Sequence, residues 1–171
     1  MRTEAIRALW LAACLCSAAG CGLDVVEIEV VETGQVGLTA LRFPGMDSFG
    51  SSLGRALSDK DVDPSDVDSM RVTAVHIRML SQGGLTDDLS FVEDLALTAA
   101  AEELDAARLA HKESFAEGVR EADLEIDAQT ELKPFLEAGG MRVEVGARLN
   151  PPPPDLVELE LAVKLRVDVN L

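Results

Sequence analysis

From Val157 to Leu171 every odd position is apolar: Val157, Leu159, Leu161, Val163, Leu165, Val167, Val169 and Leu171. The even positions carry Glu158, Glu160, Ala162, Lys164, Arg166, Asp168 and Asn170. Successive side chains of a strand point to opposite faces, so this run makes one dry face and one wet face, as a strand covering one side of a core does. On a helix the same residues would wrap right around the cylinder, which excludes an amphipathic helix. Four prolines, Pro151 to Pro154, stop whatever precedes the run and form a stiff connector.

The same period recurs upstream. Strands are expected at Val25–Glu32, Met70–Leu80, Leu95–Ala101, Ala106–Lys112, Val119–Asp127 and Met141–Leu149. In the second of these the apolar parity changes, from Met70 and Val72 to Val75, Ile77 and Met79. A one-residue slip reverses every side chain, so a β-bulge near Thr73-Ala74 is expected. Gly83-Gly84, Gly118 and Gly139-Gly140 mark turns. Residues 33–68 are looser, with Gly34, Gly37, Gly45, Gly50 and Gly54, and read as a short strand near Val36–Phe43 followed by irregular structure. The alanine-rich stretch Thr98–Lys112 has helical propensity, yet its neighbours alternate on both sides, and a hairpin is expected there. Short helical turns are expected at Asp88–Glu93 and Thr130–Leu136, the latter plugging an end with Leu132 and Phe135. Seven or eight strands with regular turns imply an all-β fold: a two-sheet antiparallel β-sandwich, Ig-like in general architecture.

The chain has 171 residues, enough for one domain with a sizeable core. Its 31 Asp and Glu against 15 Lys and Arg give a formal charge of −16, which argues against a nucleic-acid partner. There is no Tyr, and the single Trp, Trp10, lies near the start. The remainder therefore has only five Phe and lacks the Trp and Tyr that stack sugars or anchor tight protein interfaces, so a carbohydrate ligand is not expected.

The first residues differ from the rest. Arg2 and Arg7 form a basic start offset by Glu4, an uncharged run covers Ala8 to Ala19, and small residues lead into Cys21. This is the charged, apolar and small-residue order of a secretory signal. The uncharged run ends at Asp24 and includes Ser17, Gly20 and Gly22, short of the roughly 20 mainly apolar residues of a membrane span. The stretch Ser17-Ala18-Ala19-Gly20-Cys21 resembles the lipobox of bacterial lipoproteins, although Ala18 stands where that pattern usually has Leu, Val or Ile. The resemblance implies a signal peptide over 1–20, a single domain over 21–171 and a diacylated Cys21 as the membrane anchor. The better local box ending at Cys14 leaves only six residues after Arg7, below the roughly 7–15 of an apolar signal core. Gly22 in place of the Asp of inner-membrane lipoproteins implies outer-membrane sorting. With Cys14 and Cys16 removed, no intrachain disulfide remains. The later segments Asp66–Ser69, Asp88–Phe91 and Glu117–Val119 also resemble a loose group of uncharacterised bacterial envelope lipoproteins, with no activity to carry over.

Candidate chemistry is sparse. Asp59, Asp61, Asp63, Asp66 and Asp68 could offer hard oxygen ligands to Ca²⁺. An EF-hand register from Asp59 fails, because Pro64 replaces the turn Gly and Met70 the bidentate Glu. The plainer reading is a solvated loop whose Asp and Ser residues cap turns. His76 and His111 fall in expected strands, and with Cys14 and Cys16 removed and Cys21 lipidated no free Cys is left to join them in a zinc site. No nucleophile elbow or phosphate loop is present. No catalytic residues are assigned. The expectation is a non-catalytic, lipid-anchored sandwich of the cell envelope with a structural or interaction role, its partner the membrane and any protein partner unknown. A Ca²⁺-binding module and, behind it, an envelope hydrolase are the alternatives.

Overall fold

The computed structural model describes residues 23–37, 41–82 and 84–170. Within them nine strands form two antiparallel sheets, and the architecture is the expected β-sandwich. The strands are β1 (Leu23–Val36), β2 (Leu41–Arg42), β3 (Val67–Met79), β4 (Val92–Ala101), β5 (Leu104–Glu113), β6 (Glu121–Asp123), β7 (Glu125–Ile126), β8 (Arg142–Leu149) and β9 (Val157–Asn170). One sheet has the order β2-β1-β9-β3-β6 and the other β7-β5-β4-β8. The alternating run that opened the sequence argument is β9, the centre of the larger sheet. Its odd residues from Val157 to Val169 are at most 1% exposed, because both neighbours extend the dry face and the second sheet covers it.

β1 does not stop at Glu32. It runs to Val36 because β9 offers a partner at every position, from Leu23↔Asn170 to Val36↔Val157. The separate strand expected at Val36–Phe43 shrinks to the two residues of β2. The stretch expected to be irregular contains a ten-residue helix, α1 (Phe49–Ser58). Phe49, Leu53 and Leu57 recur at helical spacing and are fully buried. Gly50, Gly54 and three serines lower the helical propensity enough to hide the pattern. Gly50 is needed for packing: its N–H donates to the Met141 carbonyl at 3.0 Å, and a Cβ would lie 2.9 Å from that oxygen.

Three other expectations hold and one does not. The register of β3 against β9 shifts between Val72 and Ala74, which makes Thr73 the bulged residue. The alanine-rich stretch is the β4–β5 hairpin, turning at Glu102-Glu103 with Glu103 at φ 65°. Helix α2 (Lys133–Ala138) follows the fully buried Leu132, and Phe135 is buried on it. The turn expected to be helical at Asp88–Glu93 is instead a non-helical turn closed by Val92 N–H on the Leu89 carbonyl, with β4 starting at Val92.

The segment expected as one strand at Val119–Asp127 is two short ones. β6 pairs with β3 in the larger sheet, and β7 pairs with β5 in the smaller. Between them Leu124 is buried, and its N–H donates to the Val75 carbonyl. The chain crosses from one sheet to the other here, tying the two layers at one side. The crossing also covers the edge of β3: Met79 N–H bonds Arg120, and Leu132 N–H bonds the Met70 carbonyl.

Candidate functional site

The acidic run is built from two structural caps. α1 ends as a Schellman motif, with Val62 N–H on the Leu57 carbonyl and Asp61 N–H on that of Ser58. Asp61 takes the left-handed position usually held by Gly, at φ 57°, and Val62 packs against Leu57 in the core. Asp63 then opens a 3₁₀ turn, Pro64–Asp66, by accepting the Ser65 N–H at 2.9 Å and its hydroxyl at 2.7 Å. Those bonds hold the Asp63 carboxyl below its ordinary range, the hydroxyl contributing most. Asp59, Asp61, Asp63, Asp66 and Asp68 are all exposed. Among the described residues no group of three or more His, Cys, Asp or Glu converges as a metal site.

The histidines are partly exposed strand residues. His76 on β3 holds Asp123 through Nδ1 at 2.9 Å and faces Glu121 through Nε2 at 3.7 Å. Because the two carboxylates sit on opposite ring nitrogens, they cannot join His76 around one ion. His111 on β5 faces Glu125 at 3.7 Å. Both imidazoles therefore grip the segment that crosses between sheets.

At the end of the sandwich holding the 80–91 and 150–156 loops, a set of side chains is locked by hydrogen bonds. Asp88 accepts the N–H and hydroxyl of Ser90 and, at 2.6 Å, the N–H of Gly118. Leu89 N–H donates to the Val119 carbonyl. Two segments that carried the lipoprotein resemblance, Asp88–Phe91 and Glu117–Val119, thus clasp each other and act as fold-setting turns. Arg120 donates to the carbonyls of Asp87 and Ser81. Asp155 accepts from the Thr86 hydroxyl and the Leu85 N–H, both at 2.8 Å. The Asp88 carboxyl is pulled down chiefly by the Ser90 hydroxyl, and that of Asp155 chiefly by the Thr86 hydroxyl. On β9, Asp168 is pulled down first by the Ser69 hydroxyl and then by Arg166. These loops present Leu85 and Leu156, 84% and 61% exposed, on fixed backbone.

Beside Leu156 lies a cleft of about 620 Å³, lined by Thr33, Gly34, Gln35, Gly37, Arg42, Pro44 and Leu156. Sequence reasoning missed it, since its walls come from distant stretches and carry no motif. Arg42 also borders a second cleft of about 390 Å³, whose lining includes Asp47 and Glu144. Cys21, Gly22 and residues 1–20, on which the expected signal and anchor fall, lie outside the described residues. No family model, no curated protein and no solved structure matches the chain.

Proposed function

We propose that the chain is a non-catalytic, lipid-anchored sandwich of the bacterial cell envelope, held through Cys21 and serving a structural or interaction role. The observation that carries this reading is the order of the first 21 residues: basic start, apolar run, small residues and Cys21. β1 begins at Leu23, so a lipid on Cys21 would hold the domain close to the membrane surface. Gly22 supports outer-membrane sorting, and the acidic surface supports a partner other than nucleic acid. A non-catalytic role is supported by the four carboxyls with lowered pKa, each accounted for by turn or strand hydrogen bonds.

One acyl chain gives only marginal membrane binding and two give stable anchoring, so a diacylated Cys21 would hold even this acidic domain. The test is fractionation and intact mass after expression in a bacterium that processes lipoproteins. The expected product begins at a lipid-modified Cys21, sediments with membranes and lacks the fluorescence of Trp10. Cys21→Ser should leave an uncleaved precursor or a soluble form, whereas Cys14→Ser and Cys16→Ser should change neither mass nor fractionation. A membrane-bound product that still shows tryptophan fluorescence would overturn the reading.

A further inference from the structure

We propose that the edge of β1 turned away from β9 receives an extended, basic segment of a partner protein, which adds to the larger sheet as a further strand along Asp24–Val31. β9 pairs all 14 residues of β1 on one side, without a break in register. On the other side β2 pairs only Gln35 and Val36. Every second residue of a paired antiparallel strand turns its N–H and C=O to the far side. Among the described residues nothing bonds those groups between Asp24 and Val31; α1 and the 3₁₀ turn Pro44–Ser48 pack against β1 without taking a backbone hydrogen bond from it. Folded proteins blunt such an edge with Pro, Lys, a bulge or brevity. β6 and β7, at the opposite edges of the two sheets, are three and two residues long. Asp24–Val31 is longer, regular and free of Pro, Gly and Lys, and it stops short of Glu32 and of the β1–β2 connection.

Charge and pattern select the occupant. On the outer face of the larger sheet β1 presents Val25, Glu27, Glu29 and Val31 in turn, the two valines 49% and 50% exposed and both glutamates exposed. Glu27 has no ion pair among the described residues, and Glu29 reaches only Lys164, at 3.8 Å. Side chains directly opposite on an added strand come within about 5 Å of these, so the matching segment carries apolar, basic, basic and apolar residues at alternate positions. Its intervening side chains come down beside Val26, half-buried at the rim of the core. A second copy of the chain fits poorly. β1 laid on β1 over the whole stretch sets Glu27 against Glu29 twice, on a molecule of formal charge −16. Access from the N-terminal side rests on the anchor reading, in which only Cys21 and Gly22 precede β1.

The experiment uses the ¹⁵N-labelled chain purified from bacterial membranes in non-ionic detergent, with intact mass fixing its N-terminus independently of binding. The probes are blocked peptides of about eight residues, the length of a strand, with Val at the outer ends, Thr at inward positions and two central outward residues. Those two are Lys in one peptide, Glu in a second, and Lys in a third whose backbone is N-methylated throughout. The Lys peptide is expected to shift the Val25–Val31 amides saturably and to slow the exchange of every second one. The Glu peptide and the methylated Lys peptide, which keeps its charge but cannot donate to an edge, are expected to do neither. Glu27→Gln combined with Glu29→Gln should weaken the Lys peptide about fivefold or more, with the β4 amides unmoved as a check on folding. Glu113→Gln, on β5, should leave the affinity as it was. Equal binding of the Glu or the methylated peptide, absence of a saturable shift at these amides, unchanged affinity in the folded double variant, or concentration-dependent protection of the same amides without peptide, which marks a second copy, would each overturn the proposal. A chain that keeps residues 1–20 overturns the anchor alone, and the titration still decides the docking.

Discussion

Single carboxylates set the loop geometry of this molecule, and their substitution separates ligand chemistry from backbone chemistry. Asp61 stands at a left-handed position where a side chain is strained, so Asp61→Gly should stabilise the fold by roughly 0.5 kcal/mol in urea melts. A loop that used Asp61 as a ligand would gain nothing from its loss. Asp88 holds three donors on two chain segments. Asp88→Ala should cost about 1 kcal/mol, read by the same melts, since its exposure lets water replace part of each bond. The acidic run was legible in the sequence as an exposed loop whose Asp and Ser residues cap turns, as Asp63 does with Ser65, whereas the roles of Asp88 and Asp61 were not. Hydrogen-bond partners such as Gly118 for Asp88 lie 30 positions away, and the left-handed angle at Asp61 has no marker in the residue itself.

At the scale of strands and helices, legibility follows period. β9 could be read residue by residue, because a two-residue repeat over 14 positions has no helical alternative. The break in β3 was equally legible, since one extra residue leaves a parity change behind. That gives a sharp expectation. Deleting Thr73 preserves the pairs Val72↔Leu165 and Ala74↔Lys164 and keeps every flanking side chain on its face. The deletion should fold with a melting temperature near the parent's. Deleting Ala162 from β9 removes one residue where no bulge absorbs the change, so half the strand turns inside out and no cooperative melt should remain. Helix α1 was illegible because its apolar triad is separated by glycine and serine, and tertiary packing overrides their propensity. The crossing at Leu124 was hidden because neither sheet's pattern is interrupted by a turn residue there. Leu161→Ala, at the fully buried centre of β9, should cost about 2–5 kcal/mol in denaturant melts.

For the molecule as a whole, two electrostatic effects oppose each other as acid is added. Neutralising part of the formal −16 relieves self-repulsion and favours the compact state. Asp63, Asp88, Asp155 and Asp168 all have carboxyls held below their ordinary value in the fold. Such groups contribute stability above the unfolded value of about 3.9 and lose it as the pH falls through the lower folded value. The melting temperature should therefore rise on going from neutral pH to about 5 and fall again below about 4. A second consequence concerns timing. β1 and β3 make no strand pairing with each other; β9 lies between them and is the last described strand to be synthesised. The smaller sheet, spanning β4 to β8, can pair while β9 is still within the ribosome, whereas the larger sheet stays open in the middle until that strand arrives. A nascent chain stalled before Val157 should thus be cut by protease in β1 and β3, and release of the finished chain should protect both at once. Until then the facing edges of β1 and β3 stay unpaired, and any foreign strand that reaches them first can take the place of β9.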